Sequence, residues 1–197
     1  MELVFATHNL GKLKEVQRLL PNSIQLLSLD DIGCTDEIPE DGQTLEENAL
    51  AKAKFVKNTY GLDCFADDTG LLVDALGGSP GVWSARYAGP EKDPVQNMNK
   101  LLTELLGESN RTARFKTSIA LILKGETHFF SGVAEGSIRE EPMGSEGFGY
   151  DPVFQPEGES RTFAQMAMSE KNAISHRGKA LEQLSRYLNE VMQEGLK

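Results

Sequence analysis

Two adjacent carboxylates, Asp67 and Asp68, follow the short apolar run Cys64-Phe65-Ala66. Ionised carboxylates placed side by side repel each other, so a protein interior avoids such a pair unless a cation lies nearby. Mg²⁺ prefers hard oxygen ligands of this kind and would remove the repulsion. A solvated acidic turn is the common alternative. The tight loop at residues 77–81 and the cation of Arg86 follow shortly afterwards, and they favour a functional site.

A polar loop at residues 7–12 joins the apolar run 3–6 to a stretch with helical spacing at 12–20. A strand that delivers such a loop to a helix N-terminus can bind an anion, because free backbone amides and the helix dipole point at the ligand. Lys12 would add a full positive charge. The loop lacks Walker A spacing, and an ordinary capped helix is the alternative.

A glycine-rich loop with two aromatic side chains occupies residues 144–152. Its glycines surround Phe148 and Tyr150, so the loop could expose both rings together with its backbone. Exposed aromatic faces suit stacking on a planar base. The alternative is a hairpin loop whose rings fold back onto the core.

Cations are concentrated at residues 171–179, ahead of the last helical stretch. Lys171, His176 and Arg177 lie around the predicted helix start, where positive charge opposes the helix dipole. This arrangement calls for a bound anion or an electron-rich ligand.

A helix is predicted from the capping box of Thr44 and Glu47, whose side chains satisfy each other's backbone donors. It runs to about residue 60 and leads directly to the strand that ends in the Asp67-Asp68 pair. Its charged residues Lys52 and Lys57 are expected to be solvated on the surface.

The remaining pattern predicts an alternating α/β chain. Thr69-Gly70 is expected to break the acidic strand. Asp93 followed by Pro94 is a strong helix start, and two long alternating segments are expected to form an antiparallel ribbon. The predicted strands are 3–6, 24–29, 64–66, 71–73, 111–123, 127–138 and 153–154, and the predicted helices are 12–20, 44–60, 93–107 and 180–191.

The composition indicates one globular domain, or two lobes that share a core, over residues 1–197, with 39% hydrophobic residues. The net charge of −10 argues against a broad nucleic-acid surface, although a few lysines and a metal could still attract a small anion. Cys34 and Cys64 form no CxxC motif, so a reducing compartment is expected. The N-terminus carries no signal-peptide pattern, which favours a cytoplasmic protein without a membrane partner.

Six short motifs occur along the chain in this order: Thr7-His8-Asn9-Leu10-Gly11-Lys12, Glu47-Asn48-Ala49, Ala66-Asp67-Asp68-Thr69-Gly70-Leu71, Gly78-Ser79-Pro80-Gly81 to Ser84-Ala85-Arg86-Tyr87, Gly147-Phe148-Gly149-Tyr150-Asp151-Pro152 and Ser175-His176-Arg177. Together they resemble the inosine triphosphate pyrophosphatase, or HAM1-like, family, which acts on deaminated purine nucleotides. The resemblance spans nearly the whole chain, and the ordered set is specific although each motif alone is weak. Thr69 stands where bacterial members commonly carry Ser, and it keeps the hydroxyl.

The resemblance implies an elongated, two-lobed α/β fold in which helices flank a long central mixed β-sheet and the active-site cleft lies between the lobes. It implies a homodimer that uses Mg²⁺ to hydrolyse ITP, dITP and XTP to the monophosphate and pyrophosphate. This reaction cleanses the nucleotide pool. The ligand would be a small purine nucleoside triphosphate, with no nucleic-acid polymer as partner.

The resemblance also assigns roles to residues. The metal ligands fall on Glu40 and Asp68, and Asp68 is also the general base. Because one carboxylate cannot easily serve as metal ligand and free base, Asp67 and Glu47 remain alternatives for the base. The substrate-binding residues are Thr7, His8, Asn9, Leu10, Gly11, Lys12 and Lys52 for the triphosphate, Thr69 in contact with substrate, and Phe148, Gly149, Tyr150, Asp151, Lys171, His176 and Arg177 for the base and sugar.

Two other functions remain open. A nucleotide sensor would use the same loops without turnover, and the adjacent carboxylates argue against it. A Maf-like pyrophosphatase would act on other modified nucleotides, and the Ser175-His176-Arg177 motif argues against it. The residue that excludes the 2-amino group of guanine is not identified.

Overall fold

A computed structural model describes residues 1–194, apart from the side chains of Leu10, Glu15 and Glu194. The strands are β1 (Glu2–Phe5), β2 (Gln25–Leu27), β3 (Cys64–Val73), β4 (Pro80–Gly81), β5 (Thr112–Leu123), β6 (Glu126–Ile138) and β7 (Phe154–Pro156). The helices are α1 (Leu10–Leu19), α2 (Leu45–Tyr60), α3 (Pro94–Glu104), α4 (Met168–Ile174) and α5 (His176–Glu194). No helix among the described residues is long and apolar enough to span a bilayer.

The strands form one mixed sheet. Its order is β2-β1-β3-β5-β6-β7, and β4 pairs with β3 outside this path. β1 runs parallel to β2 and β3, whereas β4 is antiparallel to β3 and β7 is antiparallel to β6. Lys124 and Gly125 join β5 to β6 with φ values of 50° and 87°, the positive pair that a two-residue hairpin turn requires. The antiparallel ribbon predicted from the sequence is therefore confirmed.

The chain divides into two compact units. Unit 1 comprises residues 1–68, 118–131 and 179–197, and unit 2 comprises residues 69–117 and 132–178. Unit 1 has a core in which α1 and α5 pack on the sheet around Phe5 and Phe65, whose rings stack at 4.7 Å, and a second apolar cluster along α2. Unit 2 has its own core around Phe115, Phe154 and Phe163. The prediction of a single domain over residues 1–197 stays a prediction.

The start of α2 follows the sequence closely. The Thr44 side chain accepts a hydrogen bond from the Glu47 amide, the Glu47 carboxylate accepts one from the Thr44 amide, and Gly61 ends the helix with φ of 72°. The Asp93 side chain caps α3 by accepting hydrogen bonds from the amides of Val95 and Gln96. Both predicted helix starts are confirmed. They could be predicted because capping depends only on neighbouring residues.

The predicted break in the acidic strand is wrong. β3 continues without interruption from Cys64 to Val73, and Gly70 is buried within it. Thr69 is β-branched, which suits a strand. Its hydroxyl forms a hydrogen bond of 2.7 Å with the hydroxyl of Thr117 on the neighbouring strand β5. A polar residue therefore finds its partner inside the sheet and does not need a turn.

Candidate active site

In unit 1, a carboxylate cluster consists of Glu40, Asp67 and Asp68 together with Lys12 and Lys52. Successive side chains of a strand point to opposite faces, and Asp67 and Asp68 accordingly have different partners. Lys12 Nζ donates to Asp67 Oδ1 at 2.9 Å. Lys52 Nζ donates to Glu40 Oε1 and lies 3.9 Å from Asp68 Oδ1. The adjacent acids are thus neutralised by two separate ammonium groups.

Lys52 is buried, so its prediction as a solvated surface charge is wrong. Burial by itself lowers the pKa of Lys52, but the surrounding carboxylates of Asp68 and Glu40 outweigh it and raise that pKa above its ordinary value. The cation therefore persists inside the protein because its neighbours are anionic. Sequence spacing could not reveal this, because Glu40 and Asp68 belong to other elements than α2.

Burial also affects Asp68. It raises the pKa of the Asp68 carboxyl above the usual value, while the charge of Lys52 and a hydrogen bond from Asn48 act in the opposite direction. A carboxylate with a raised pKa accepts a proton more readily near neutral pH. Asp68 is therefore a better proton acceptor than an ordinary aspartate, and its role as general base stays a prediction.

The loop at residues 7–12 is a capped helix start. Asn9 Oδ1 accepts hydrogen bonds from the amides of Gly11 at 2.9 Å and Lys12 at 3.1 Å, and Thr7 Oγ1 accepts one from the Asn9 amide at 3.1 Å. The side chain of Leu10 lies outside the described part of the structure. These three amides serve the loop itself, so an anion would have to compete with Asn9 for two of them.

His8 contacts the acidic loop that precedes α2. Its Nδ1 lies 3.0 Å from Asp30 Oδ1 and its Nε2 lies 3.2 Å from the carbonyl oxygen of Asp36. These contacts, the Asp36 carbonyl first, raise the pKa of the His8 imidazole above its ordinary value. A cationic His8 would suit a phosphate oxygen, although its ring is held by acidic neighbours here.

In unit 2, an aromatic–cation cluster consists of Phe148, Asp151, Lys171, His176 and Arg177. Lys171 Nζ donates to Asp151 Oδ2 at 2.7 Å, and both residues are buried. The same Asp151 oxygen accepts from the Phe148 amide at 2.8 Å. The ion pair therefore fixes the glycine-rich loop to α4.

Gly147 allows this close approach. Its φ is 77°, and a Cβ there would lie 2.1 Å from Asp151 Oδ2. Any other residue would push the Asp151 carboxylate off Lys171 and strain the backbone. The glycine that the sequence placed in the loop is thus required by a buried ion pair.

The two aromatic rings of the loop differ in their exposure. Phe148 is 48% exposed, and its ring centroid lies 5.1 Å from Lys171 Nζ and 5.4 Å from Arg177 Cζ. Tyr150 is buried and donates its hydroxyl to the carbonyl oxygen of Ser84 at 2.8 Å. The prediction that both rings are exposed is therefore wrong for Tyr150. The exposed ring of Phe148 offers a surface for a planar ligand. Gly149 joins them with φ of 63°.

His176 and Arg177 are buried at the start of α5. The imidazole of His176 stacks on the ring of Phe115 at 4.6 Å and 17°. Arg177 Nη2 donates to Thr69 Oγ1 at 3.5 Å. The sequence predicted these residues ahead of one last helix. The structure shows a separate helix, α4, before α5, and Lys171, His176 and Arg177 are all buried.

The donor set of the carboxylate cluster fits magnesium. Among residues 1–194, no three or more His, Cys, Asp and Glu side chains are placed to hold a metal ion by themselves, so water or substrate would have to complete its shell. Mg²⁺ is commonly bound through one or two carboxylates, with water and substrate phosphates completing its shell. Glu40 and Asp68 supply two carboxylates, and their shared contact with Lys52 shows that the position between them favours a cation.

Comparison with known proteins identifies the family. The model of the Ham1 family matches residues 3–187. The chain belongs to the Ham1 family. The resemblance inferred from the ordered motifs is therefore confirmed.

Individual members of the Ham1 family are similar over nearly their whole length. The dITP/XTP pyrophosphatase of Christiangramia forsetii is 56% identical over 96% of this chain and 100% of its own. The dITP/XTP pyrophosphatase of Bacillus subtilis is 48% identical over 95% of this chain and 96% of its own. A HAM1 protein structure from Coxiella burnetii matches with a TM-score of 0.91 at 42% identity, covering 96% of this chain and 99% of that one. The α/β fold with a central mixed sheet flanked by helices is thereby confirmed.

Two contacts of this Ham1 chain were missed at the level of sequence. Asn48 donates to Asp68 Oδ2 at 2.9 Å, and Ser118 donates to Glu46 Oε1 at 2.8 Å. A signal for the first was present, because Asn48 precedes Lys52 by four residues and therefore shares its face of α2. No comparable signal points to Ser118, which lies on β5, whereas its partner Glu46 lies on α2.

Proposed function

We propose that this chain is a Mg²⁺-dependent nucleoside triphosphate pyrophosphatase that converts ITP, dITP and XTP to the monophosphate and pyrophosphate. The names of the relatives bear out the expectation of an enzyme that hydrolyses a triphosphate anhydride bond. The observation that carries the proposal for this chain is the carboxylate cluster, in which Glu40 and Asp68 converge on one cationic group. Such a cluster suits a ligand that brings phosphates and a metal together.

We assign the triphosphate to the carboxylate cluster and the loop at residues 7–12. Lys12 and Lys52 would exchange part of their contact with carboxylates for contact with phosphate oxygens, which is favourable because phosphate carries more charge. His8 and the amides around Asn9 would add donors. Glu40 and Asp68 would hold Mg²⁺, which neutralises charge on the phosphate oxygens and helps to orient them.

Hydrolysis between the α and β phosphates breaks one P–O bond, and water supplies the oxygen of the new one. The proton of that water must pass to a carboxylate as the pyrophosphate leaves. Asp68 is assigned this role because burial raises its pKa, and Asp67 is the alternative because it lies in the same cluster against Lys12. Glu47 is disfavoured as a base, because its carboxylate accepts from the amides of Gln43 and Thr44.

We assign the base to the aromatic–cation cluster. Phe148 offers a ring for stacking, which contributes about 1–3 kcal/mol per base. ITP and XTP carry a carbonyl at C6, where ATP carries an amino group, and the N–H donors of His176 and Arg177 suit the carbonyl. Facing ATP, the same donors would meet another donor, and an unpaired buried polar group costs about 1–3 kcal/mol.

The decisive experiment incubates the pure protein with Mg²⁺ and ITP, dITP, XTP, ATP, GTP, or a modified pyrimidine or methylated nucleoside triphosphate, and measures pyrophosphate separately from phosphate. We expect pyrophosphate from the first three and a kcat/KM for ATP that is at least ~10²-fold lower. Binding of ITP without turnover would show a nucleotide sensor instead. A preference for modified pyrimidine or methylated nucleotides would show a Maf-like enzyme, and release of phosphate alone would contradict the proposal.

The homodimer, the cytoplasmic location and the cleansing of the nucleotide pool stay predictions. Light scattering coupled to size exclusion measures the first directly. For the last, deletion of the gene should raise the inosine content of cellular nucleic acid, and an unchanged content would argue against that role.

A further inference from the structure

Asn48 connects the two candidate metal ligands. Its side chain is 1% exposed, its Nδ2 donates to Asp68 Oδ2 at 2.9 Å, and its Oδ1 accepts from the Gly42 amide at 2.8 Å. A carboxylate can only accept and a backbone N–H can only donate, so these partners fix the orientation of the amide group. One side chain therefore joins the strand that carries Asp68 to the loop that contains Gly42.

The loop approaches α2 as closely as a glycine permits. A Cβ at Gly42 would lie 2.7 Å from Asn48 Oδ1 and 2.8 Å from the Cβ of Glu47. Gly42 comes two residues after Glu40, so the contact with Asn48 also limits where Glu40 can lie. The closeness of Gly42 to the Cβ of Glu47 adds a second contact to the hydrogen bond, and both hold the loop against the start of α2.

We propose that Asn48 is a positioning residue that sets the separation between the carboxylates of Glu40 and Asp68. Lys52, one helical turn later, contacts the same two carboxylates through its charge, whereas Asn48 fixes geometry without adding charge. The inference rests on the proposed function, because it gives Glu40 and Asp68 the task of holding Mg²⁺. Residues that orient metal ligands in this way typically change metal affinity or activity by about 10–100-fold when they are replaced.

Two variants disturb the arrangement from different sides. Asn48→Ala removes both hydrogen bonds, and Gly42→Ala keeps the amide but pushes the loop away from it. The matched control is Asn97→Ala in unit 2. Asn97 is 3% exposed, accepts from the Ala88 amide at 2.6 Å and donates to the Ala85 carbonyl at 2.9 Å, so its loss has a similar structural cost away from the carboxylate cluster.

The test measures the Mg²⁺ concentration at half-maximal turnover of ITP, the KM for ITP at saturating Mg²⁺, the Tm, and the binding of Mn²⁺ by electron paramagnetic resonance in the absence of turnover. For Asn48→Ala we expect the half-saturating Mg²⁺ concentration and the Mn²⁺ dissociation constant to rise about 10-fold or more, with a smaller change in KM. Gly42→Ala should raise the same two metal constants, but by a smaller factor than Asn48→Ala. Asn97→Ala should lower the Tm and leave both metal constants unchanged.

The outcomes separate the inference from the proposed function. Metal constants of Asn48→Ala equal to those of the wild type, or moved equally by Asn97→Ala, would overturn the positioning role. If Asn48→Ala does not fold, the result with Gly42→Ala decides. A wild-type protein that hydrolyses no nucleotide would overturn the proposed function, and the Mn²⁺ measurement would still decide the role of Asn48. If the wild-type protein shows neither turnover nor Mn²⁺ binding, the proposed function and the positioning role of Asn48 are both overturned.

Discussion

The carboxylate cluster of unit 1 and the aromatic–cation cluster of unit 2 bury charge in opposite ways. In the first, three carboxylates face Lys12 and Lys52, which leaves an excess of negative formal charge. In the second, Lys171 and Arg177 face Asp151 and the ring of Phe148, which leaves an excess of positive formal charge. The two clusters therefore differ in the sign of their formal charge, which is why the proposed function assigns the metal to the first and the purine base to the second.

The largest expected effect tests the acidic side of this comparison. Asp68→Asn should lower kcat for ITP by about 10³-fold or more at saturating Mg²⁺, because it removes a metal ligand and the assigned base together. Asp67→Asn, whose carboxylate contacts Lys12 instead, should lose less. Steady-state kinetics on both variants provides the measurement. Equal activity of Asp68→Asn and the wild type would remove Asp68 from the mechanism.

The cationic side is tested by the choice of base. Arg177→Ala should lower kcat/KM for ITP by about 10²-fold while changing that for ATP little, because only ITP uses the lost donor. Since Arg177 is buried, Arg177→Lys serves as a second variant that retains the charge without the planar donors. An ITP/ATP ratio that stays at the wild-type value in both variants would move base recognition to the loop of Phe148.

The buried ion pair of unit 2 can be compared with one on its surface. Asp151→Asn leaves Lys171 buried opposite a neutral group and should cost about 3–5 kcal/mol of unfolding free energy. Glu170→Gln, which breaks the exposed pair with Arg161, should cost far less, because solvent screens that pair. Urea denaturation of the two variants measures both values. Similar losses would mean that the Asp151–Lys171 pair contributes no more than a surface pair.

The smallest expected effect concerns the phosphate-binding role of one lysine. Lys12→Ala should weaken binding of an ITP analogue that is not hydrolysed by about 10-fold and leave inosine binding unchanged, because only the triphosphate carries the charge that the ammonium group recognises. Calorimetry with both ligands makes the comparison. A parallel loss for nucleoside and triphosphate would exclude Lys12 as a phosphate ligand.

Local features of this chain could be predicted from its sequence, whereas contacts between distant residues could not. The capping box of α2, the start of α3 and the β5–β6 ribbon depend on neighbouring residues, and the order of the motifs was enough for the family. Burial of Lys52 depends on Glu40 and Asp68, which lie on other elements. Arg177 meets Thr69 across 108 residues of sequence. No local pattern encodes such a pairing, so the sequence indicated which residues carry chemistry but not which of them meet.

The two lysines of the carboxylate cluster affect whether the protein needs a metal ion in order to fold. Because Lys12 and Lys52 already balance most of the acidic charge, we expect the chain to fold without a metal ion. A chelator should therefore stop turnover while leaving the melting temperature unchanged. A protein of this kind would stay folded when metal is scarce and would recover its turnover as soon as Mg²⁺ was restored.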